Sequence, residues 1–180
     1  MTLEEPDLRE ALLAAVPSLR AFAISLSGQV DRADDLVQDT LLRALSNLHR
    51  FERGTNLNAW LFTILRNLFH SEYRKRRREV EDPDGSYAGR LKVQPEQGSR
   101  LDFEDFRSAL AKLPPDQREA LLLVGASGFS YEEAAQICGC AVGTIKSRVN
   151  RARFRLASLL NVDDVEDLGP DSMTRAALQG

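Results

Sequence analysis

The sequence predicts an all-α protein made of two small helical domains joined by a flexible linker. Apolar residues recur at spacings of three and four, the period of an amphipathic helix, and no alternating run of β-branched residues indicates a strand. Residues 79–101 contain two prolines and three glycines and have no apolar period, which is typical of a linker. They separate a first domain at residues 1–78 from a second at residues 102–161. An acidic tail at residues 162–180 follows, which we expect to be loose.

The first domain is predicted to begin with three helices. The first helix covers about residues 6–15, Pro17 opens the second at its first turn, and Gly28 ends it. Asp31 is expected to be the N-cap of the third helix. One face of that helix is apolar and carries Val37, Leu41, Ala44 and Leu48.

A break at Arg53–Asn56 separates the third helix from a fourth. The fourth helix is predicted to run from about Asn58 into a basic segment. Its buried side is expected to comprise Leu57, Leu61, Ile64, Leu65 and Leu68.

The second domain is predicted to hold further helices with clear start and stop signals. Pro114-Pro115 ends one helix and begins the next. Ser130 and Glu133 have the spacing of a capping box, and the short helix that they begin ends at Gly139. A long last helix is expected from about Val142 to Leu160.

The composition excludes several classes of protein. Of the 180 residues, 43% are hydrophobic, which is enough for a core and argues against a wholly disordered chain. The longest uninterrupted apolar run, Ala120–Val124, is too short to span a membrane, and the acidic N-terminus does not resemble a secretory signal. The two cysteines, Cys138 and Cys140, favour a cytoplasmic location and lack further ligands for zinc. With no phosphate loop and no nucleophile elbow, we expect no enzyme, no cofactor and no metal.

The pattern most typical of a known function lies between Ser130 and Arg153. A short capped helix, a turn at Gly139 and a second helix form a helix-turn-helix layout, in which the second helix enters the DNA major groove. Its inward stripe is predicted to comprise Ile145, Val149, Ala152 and Leu156. On its other faces, Lys146, Ser147 and Arg148 are expected to reach bases, and Arg151, Arg153 and Arg155 to contact phosphates, with Thr144 nearby.

Charge placement supports this interpretation although the net charge is −3. The segment Val142–Asn161 holds five basic residues and no acid, and Arg66–Arg78 holds six basic residues and one acid. The alternative, a solvated amphipathic helix, is disfavoured because the last helix contains no acid to pair with its cations. If that helix makes about four phosphate contacts, log affinity falls with log salt at a slope of about −3.6.

A second candidate binding segment is Arg53–Arg78, where aromatic residues alternate with cations. Basic side chains can follow a nucleic-acid backbone, and aromatic faces can stack on unpaired bases. Trp60 is expected to be a core residue because it lies on the side of Leu57 and Ile64. The pattern leaves open whether the other aromatics are core or binding residues, namely Phe62, Phe69 and Tyr73.

A third candidate site is acidic. The third helix carries Asp31, Asp34, Asp35 and Asp39 together with Gln38. Like charges four residues apart destabilise a helix unless a basic partner is present. The pattern alone leaves two interpretations of these carboxylates open. They bind a protein partner, or they form a solvated first turn that the helix dipole favours.

Four segments in this order resemble the extracytoplasmic-function (ECF) sigma factors of bacterial RNA polymerase. They are DDLVQDTLLRAL, NLNAWLFTILRN, LPPDQREALLL and FSYEEAAQICGCAVGTIKSRVNRARFRL. The resemblance covers roughly residues 8–160. The stretch FRSALAKLPPDQREALLLVGASGFSYEEAA is similar to EcfG-type general stress sigma factors of alphaproteobacteria.

The resemblance implies a sigma region 2 domain at residues 1–78, a region 4 domain at residues 102–161, and a role for each candidate residue. The acidic helix would dock on the clamp helices of the largest polymerase subunit. A flipped minus-ten base would be captured by Arg53, Thr55, Asn56, Asn58 and Asn67, and the backbone would be held by Arg66, Arg74, Lys75, Arg76, Arg77 and Arg78. The last helix would read the minus-35 element. The implied partners are core RNA polymerase, promoter DNA and an anti-sigma factor of the NepR type.

Other functions are compatible with parts of the sequence. A sigma-like decoy that sequesters an anti-sigma factor would not need the basic face between Lys146 and Arg155. An ordinary helix-turn-helix repressor or activator would leave the first domain unexplained.

Ala141 is a poor N-cap just before the last helix, and we hypothesise that a DNA phosphate binds the free amides there.

Overall fold

A computed structural model describes residues 5–79 and 100–161 of the chain, and every regular element in those ranges is helical. The chain divides into two compact units, each described by itself below. The predictions for most of the linker, at residues 80–99, and for the tail at residues 162–180 lie outside the described residues.

The first unit is a helical bundle. Its helices are α1 (Glu5–Ala14), α2 (Val16–Ser27), α3 (Val30–Ser46) and α4 (Leu57–Glu79), with a 3₁₀ turn at Leu48–Arg50. Helix α3 packs against both α2 and α4, α2 also packs against α4, and α1 contacts α2. The order of helices is the one predicted from the sequence.

Local signals set most of the helix ends in this unit. Pro17 lies in the first turn of α2, and Gly28 ends it with a left-handed φ of 71° and an amide that donates to the Ile24 carbonyl at 2.8 Å. The prediction for Asp31 was wrong: Gln29 precedes α3, and Asp31 lies inside its first turn. Leu48 was also misplaced, because α3 ends at Ser46 and Leu48 begins the 3₁₀ turn.

The core of the first unit lies between α2, α3 and α4. Phe62 is 1% exposed and its ring centroid is 5.0 Å from that of Phe22, which identifies Phe62 as a core residue. Trp60 is half-buried at the edge of the core, with its ring 5.3 Å from that of Phe51. The residues that fill the centre are Leu19, Leu36, Leu61 and Leu65.

The stretch Asp7–Ser27 is long and apolar enough to cross a membrane by length and composition, with a mean hydropathy of 1.3 in its best window. The prediction that no helix spans a membrane was based on uninterrupted apolar runs, so it did not cover this stretch. In the structure the helix is interrupted at Ala15. Some of its apolar residues pack in the core of the first unit, where Leu19, Phe22 and Ala23 are buried, whereas Leu13 is 69% exposed. A core helix passes the same test.

The second unit contains α5, α6, the beginning of α7 and α8. The full helices are α5 (Arg100–Ala111), α6 (Pro115–Leu121), α7 (Tyr131–Cys138) and α8 (Val142–Leu160), and a π-helical turn at Leu122–Ala126 follows α6. Helix α8 packs against α5 and α6. Helix α5 begins two residues before the predicted domain start at residue 102.

The start and stop signals around α7 have the predicted geometry. Glu133 donates its amide to Ser130 Oγ at 3.1 Å, and Ser130 donates its own amide to Glu133 Oε2 at 3.0 Å, which completes the capping box. Gly139 has a left-handed φ of 64° after α7. The Cys140 amide then donates to the Ala135 carbonyl at 3.0 Å, so the turn into α8 is closed by a backbone hydrogen bond.

Candidate nucleic-acid and polymerase interfaces

Helix α8 divides into a buried face and an open face, as the sequence predicted. The inward stripe is buried and comprises Ile145, Val149, Ala152 and Leu156. Of the predicted DNA-contact residues, Lys146, Arg151 and Arg155 are exposed, and Thr144, Ser147 and Arg153 are half-buried. The Lys146 ammonium lies 5.7 Å from the centroid of the Tyr131 ring, a distance at which a cation and an aromatic face attract. The open face can therefore present several cations to a phosphate backbone.

Arg148 has a different environment from its neighbours on α8. Its Nε lies 3.3 Å from Asp116 Oδ2 at the start of α6, and its Nη1 donates to Cys140 Sγ at 3.9 Å. The side chain is 26% exposed. Helix α8 contains no acid of its own, as the sequence shows, and Arg148 takes its acidic partner from another helix. Arg148 holds the turn before α8 and the start of α6 together, and this limits its freedom to reach a base.

The first turn of α8 leaves its backbone open. Ala141 precedes the helix in an extended conformation, with φ −70° and ψ 149°, and no side chain caps the helix there. A Cβ added to Gly143 would meet no atom within 4 Å. The Val142 and Gly143 amides can therefore be approached closely by an acceptor from outside the protein.

The loop before α4 is partly used to build that helix. Thr55 donates its hydroxyl to the Glu52 carbonyl at 2.7 Å, and Asn56 Oδ1 accepts the Ala59 amide at 3.2 Å. Asn56 is thus the N-cap of α4, a role that the sequence analysis did not assign to it. Arg53 and Asn58 are exposed beside it. The loop presents these two side chains on a backbone that its own hydrogen bonds hold.

The basic end of α4 is open to solvent. Every residue of the run Arg74–Arg78 is exposed. Lys75 has a partner within the helix, Glu79, with Nζ and Oε1 3.9 Å apart and both side chains more than half exposed. Such a surface pair adds little stability, so the lysine can exchange its partner for a phosphate. Arg66, earlier on α4, is half-buried.

The aromatic residues of α4 fall into two groups. Phe62 and Trp60 pack inward, as described above. Phe69 is half-buried beneath the guanidinium of Arg32, whose Cζ is 5.6 Å from the ring centroid. Tyr73 is 42% exposed, and its ring lies 6.4 Å from that of Phe69 in a stacked arrangement. Of the three aromatics left open by the sequence, Tyr73 has the most accessible ring for a base.

The acidic face of α3 is exposed, and its carboxylates differ in their partners. Asp34 accepts two hydrogen bonds from Arg20 on α2, at 2.6 Å from Nε and 3.4 Å from Nη2. The Asp34 carboxylate raises the pKa of the Arg20 guanidinium above its usual value. Asp35 and Asp39 have no ion-pair partner within residues 5–79 and 100–161. The remaining predicted polymerase-contact residues, Asp31 and Gln38, are also exposed.

Two apolar residues extend the acidic face. Leu42 and Leu45 on α3 are 56% and 47% exposed. Together with Asp35, Gln38 and Asp39 they form an exposed strip that combines charge with apolar surface, which is typical of a surface that binds a protein. Sequence reasoning missed the two leucines, although their three-residue spacing was visible in the printed sequence.

A cleft of about 290 Å³ opens between α3 and α4 in the first unit. It is lined by Arg43, Ile64, Asn67, Leu68 and Ser71. Asn67 is a DNA contact predicted from the sequence, whereas Arg43 and Ser71 were not predicted to line a site. Within the part of the chain that the structure describes, no group of His, Cys, Asp or Glu side chains could hold a metal ion.

Comparison with known proteins identifies the class of this fold. Residues 12–79 match the family model for sigma-70 region 2, and residues 103–156 match the model for sigma-70, region 4. The two units are therefore the promoter-directing domains of a sigma-70-type transcription initiation factor.

Individual relatives narrow the family. The chain is 73% identical over 174 residues to the ECF RNA polymerase sigma factor EcfG of Rhodopseudomonas palustris, covering 97% of this chain and 96% of the relative. It belongs to the ECF sigma factors. As a member of that family it binds core RNA polymerase and directs transcription initiation at promoter DNA, and it is not an enzyme.

Two solved structures share this fold. The sigma factor RpoE of Bartonella quintana, in a co-crystal with the anti-sigma factor NepR, is 59% identical with a TM-score of 0.79, covering 88% of this chain and 99% of that chain. The anti-anti-sigma factor PhyR of the same organism, complexed with NepR, is 20% identical with a TM-score of 0.54, covering 84% of this chain and 50% of that chain. The second likeness shows the fold alone.

Proposed function

We propose that the two units read two promoter elements through separate surfaces. The open face of α8 contacts the minus-35 element, and the loop before α4 together with the basic run of α4 contacts the minus-ten element. The observation that carries this proposal is the division of α8, whose apolar stripe is buried while Lys146, Arg151 and Arg155 are exposed.

The proposed DNA contacts divide by role. Asn56 and Arg148 act by holding the loop and the turn in place, as their hydrogen bonds within the protein support. The residues proposed to touch DNA directly are Arg53, Thr55, Asn58, Arg66, Asn67, Arg74, Lys75, Arg76, Arg77, Arg78, Thr144, Lys146, Ser147, Arg151, Arg153 and Arg155. Arginine predominates among them, which suits contacts to phosphate and guanine.

The acidic face of α3 is the proposed docking surface for core RNA polymerase. Asp35 and Asp39 are exposed carboxylates without a partner in the described residues, and Leu42 beside them is 56% exposed. Charged groups at the edge of an interface steer association, and apolar groups supply buried area. With the domain boundaries predicted from the sequence, residues 1–78 carry polymerase docking and minus-ten recognition, and residues 102–161 carry minus-35 recognition.

An anti-sigma factor of the NepR type is the proposed inhibitory partner. The likeness to RpoE, which was solved with NepR, supports this partner because it covers 88% of the chain at 59% identity. The likeness to EcfG supports a role in the general stress response. We propose a cytoplasmic location because RNA polymerase and promoter DNA are there. The alternative of a sigma-like decoy is not favoured, since the likeness to the anti-anti-sigma factor is only 20%.

The test is runoff transcription with purified core polymerase on a library of promoter fragments, with and without the protein. Lys146→Ala is expected to reduce specific initiation and to lower the salt slope of promoter binding by about 1, because one cation facing the phosphate backbone is lost. Lys112→Ala is the matched control, since Lys112 is an exposed lysine of the same unit outside α8.

Two outcomes of this experiment contradict the proposal. If the protein binds core polymerase or the anti-sigma factor but no fragment is transcribed, a decoy is the better interpretation. If Lys112→Ala and Lys146→Ala reduce initiation equally, the open face of α8 is not the promoter-reading surface.

A further inference from the structure

Arg148 lies in the part of α8 that is proposed to face DNA, yet its side chain is held by another helix. It is the seventh residue of α8, within the first two turns, where a recognition helix contacts base edges. Arg151 and Arg155 follow it by three and seven residues, so the three side chains leave α8 on one face. Arg151 and Arg155 are exposed and have no ion-pair partner in residues 5–79 and 100–161, whereas the Arg148 side chain is only 26% exposed.

Two contacts hold the guanidinium of Arg148. Its Nε lies 3.3 Å from Oδ2 of Asp116, in the first turn of α6, and its Nη1 donates to Cys140 Sγ at 3.9 Å. An arginine reads guanine through two adjacent donors, either Nε with one terminal nitrogen or the two terminal nitrogens together. Each of these pairs includes a nitrogen of Arg148 that already has a partner within the protein. The held arginine is therefore a poor reader of guanine.

The carboxylate of Asp116 is the stronger of the two contacts. A thiol sulfur is a weak acceptor, whereas a guanidinium and a carboxylate form a charge-assisted pair. The Asp116 side chain is 52% exposed, so its replacement removes little packing. Ion pairs of this exposure also contribute little to folding stability. A change at Asp116 should therefore release Arg148 and leave the second unit folded.

We propose that Asp116 sets the sequence specificity of the minus-35 contact by holding Arg148 away from the bases. The base pair opposite Arg148 is then not selected as G·C, and the element is read by side chains of α8 that the protein does not hold, such as Lys146 and Arg151. Asp116 acts through Arg148 and does not touch DNA, so it is a positioning residue. This inference rests on the proposed function, in which the open face of α8 contacts the minus-35 element.

The test measures the base preference at each position of the minus-35 element. Holoenzyme is assembled with wild-type protein or with Asp116→Ala, and the fragments that it binds are selected from a promoter library randomised across that element and are sequenced. We expect Asp116→Ala to enrich G·C at one position by at least about fivefold over the wild type, because a bidentate contact between arginine and guanine discriminates by about 5- to 150-fold. An unchanged preference at every position would overturn the proposal.

Matched variants separate this role from a general effect of charge. Asp105→Ala removes another exposed acid of the second unit, on α5, and should keep the wild-type preference. Asp116→Glu retains a carboxylate and should also keep it. Arg148→Met removes the guanidinium but keeps an extended side chain, and adding Asp116→Ala to that variant should enrich no base pair. A purely structural role of Asp116 would lower the midpoint of thermal unfolding and weaken binding to all fragments alike, without a change of preference.

Two other outcomes would contradict the proposal. If Asp116 directs Arg148 toward a base, Asp116→Ala will lose a preference that the wild type shows and will gain none. If Asp116 only repels phosphates, Asp116→Ala will bind every fragment more tightly, equally with Arg148 and with Arg148→Met. Failure of the proposed function would be seen separately, because the wild-type holoenzyme would then select no sequence at the minus-35 element.

Discussion

Asp34 and Asp35 are adjacent in the sequence, yet they have different electrostatic surroundings. Asp34 accepts two hydrogen bonds from Arg20, whereas Asp35 has no ion-pair partner in the described residues. A carboxylate already paired within the protein has less to gain from a cation on another protein, because binding must first replace its existing partner. The two residues should therefore contribute unequally to polymerase docking.

Asp35→Asn should reduce the affinity for core polymerase about two- to tenfold, mainly through slower association, because an exposed charge at an interface steers the encounter. Asp34→Asn is the matched control and should have a smaller effect, since Arg20 already neutralises that carboxylate. Surface plasmon resonance at low and high salt measures both. An effect of Asp34→Asn as large as that of Asp35→Asn would contradict this assignment of roles.

Single residues also show where sequence reasoning reaches its limit. The buried stripe of α8 was predicted correctly because it depends only on helical periodicity. The ion pair between Arg148 and Asp116 was missed, because the two residues are far apart in sequence and meet only when α6 packs on α8. Phe62 was undecidable for the same reason: only the position of Phe22 on α2 identifies it as core.

At the scale of elements, the helix ends with a side-chain or glycine signal were predictable. The capping box of α7 and the left-handed Gly139 follow from residue type alone. The start of α3 was not predictable. Aspartate is a preferred N-cap residue, which pointed to Asp31, but the helix begins at Val30 without a side-chain cap. The cleft between α3 and α4 was also beyond sequence reasoning, since it requires the packing of two helices.

The uncapped start of α8 leads to a prediction about DNA binding. Ala141→Ser should stabilise the second unit by about 1 kcal/mol, because its hydroxyl oxygen can accept a hydrogen bond from one of the free amides. Ala141→Asp should stabilise the second unit similarly, because the helix dipole favours a negative charge at this end. It should weaken promoter binding, because its carboxylate would occupy the position of a DNA phosphate and repel that phosphate. Thermal unfolding and promoter affinity measured on the same variants check this. If Ala141→Asp binds the promoter as tightly as the wild type, those amides do not face a phosphate.

For the whole molecule, the important quantity is the effective concentration of one domain near the other. Each unit carries only one local group of cations, at Arg74–Arg78 in the first and on α8 in the second, in a chain whose net charge is −3. We therefore expect each domain to bind its promoter element weakly. Binding becomes strong when core polymerase holds both domains and the linker makes the second contact intramolecular. The composition of residues 79–101 predicts such a linker, but the arrangement of the two domains cannot be derived from composition.

Cutting the linker in the assembled holoenzyme tests this coupling. A protease site inserted between Gly85 and Ser86 leaves both helical units intact. Before cleavage, the longer linker should change promoter affinity only slightly, since even a doubling of its length costs about 0.6 kcal/mol, roughly threefold. Cleavage after assembly should lower affinity much further, because the advantage of linkage is about 10²- to 10⁴-fold. Equal promoter affinity of cleaved and uncleaved holoenzyme would contradict this coupling. Polymerase would then hold each domain independently, and the linker would not contribute to promoter affinity.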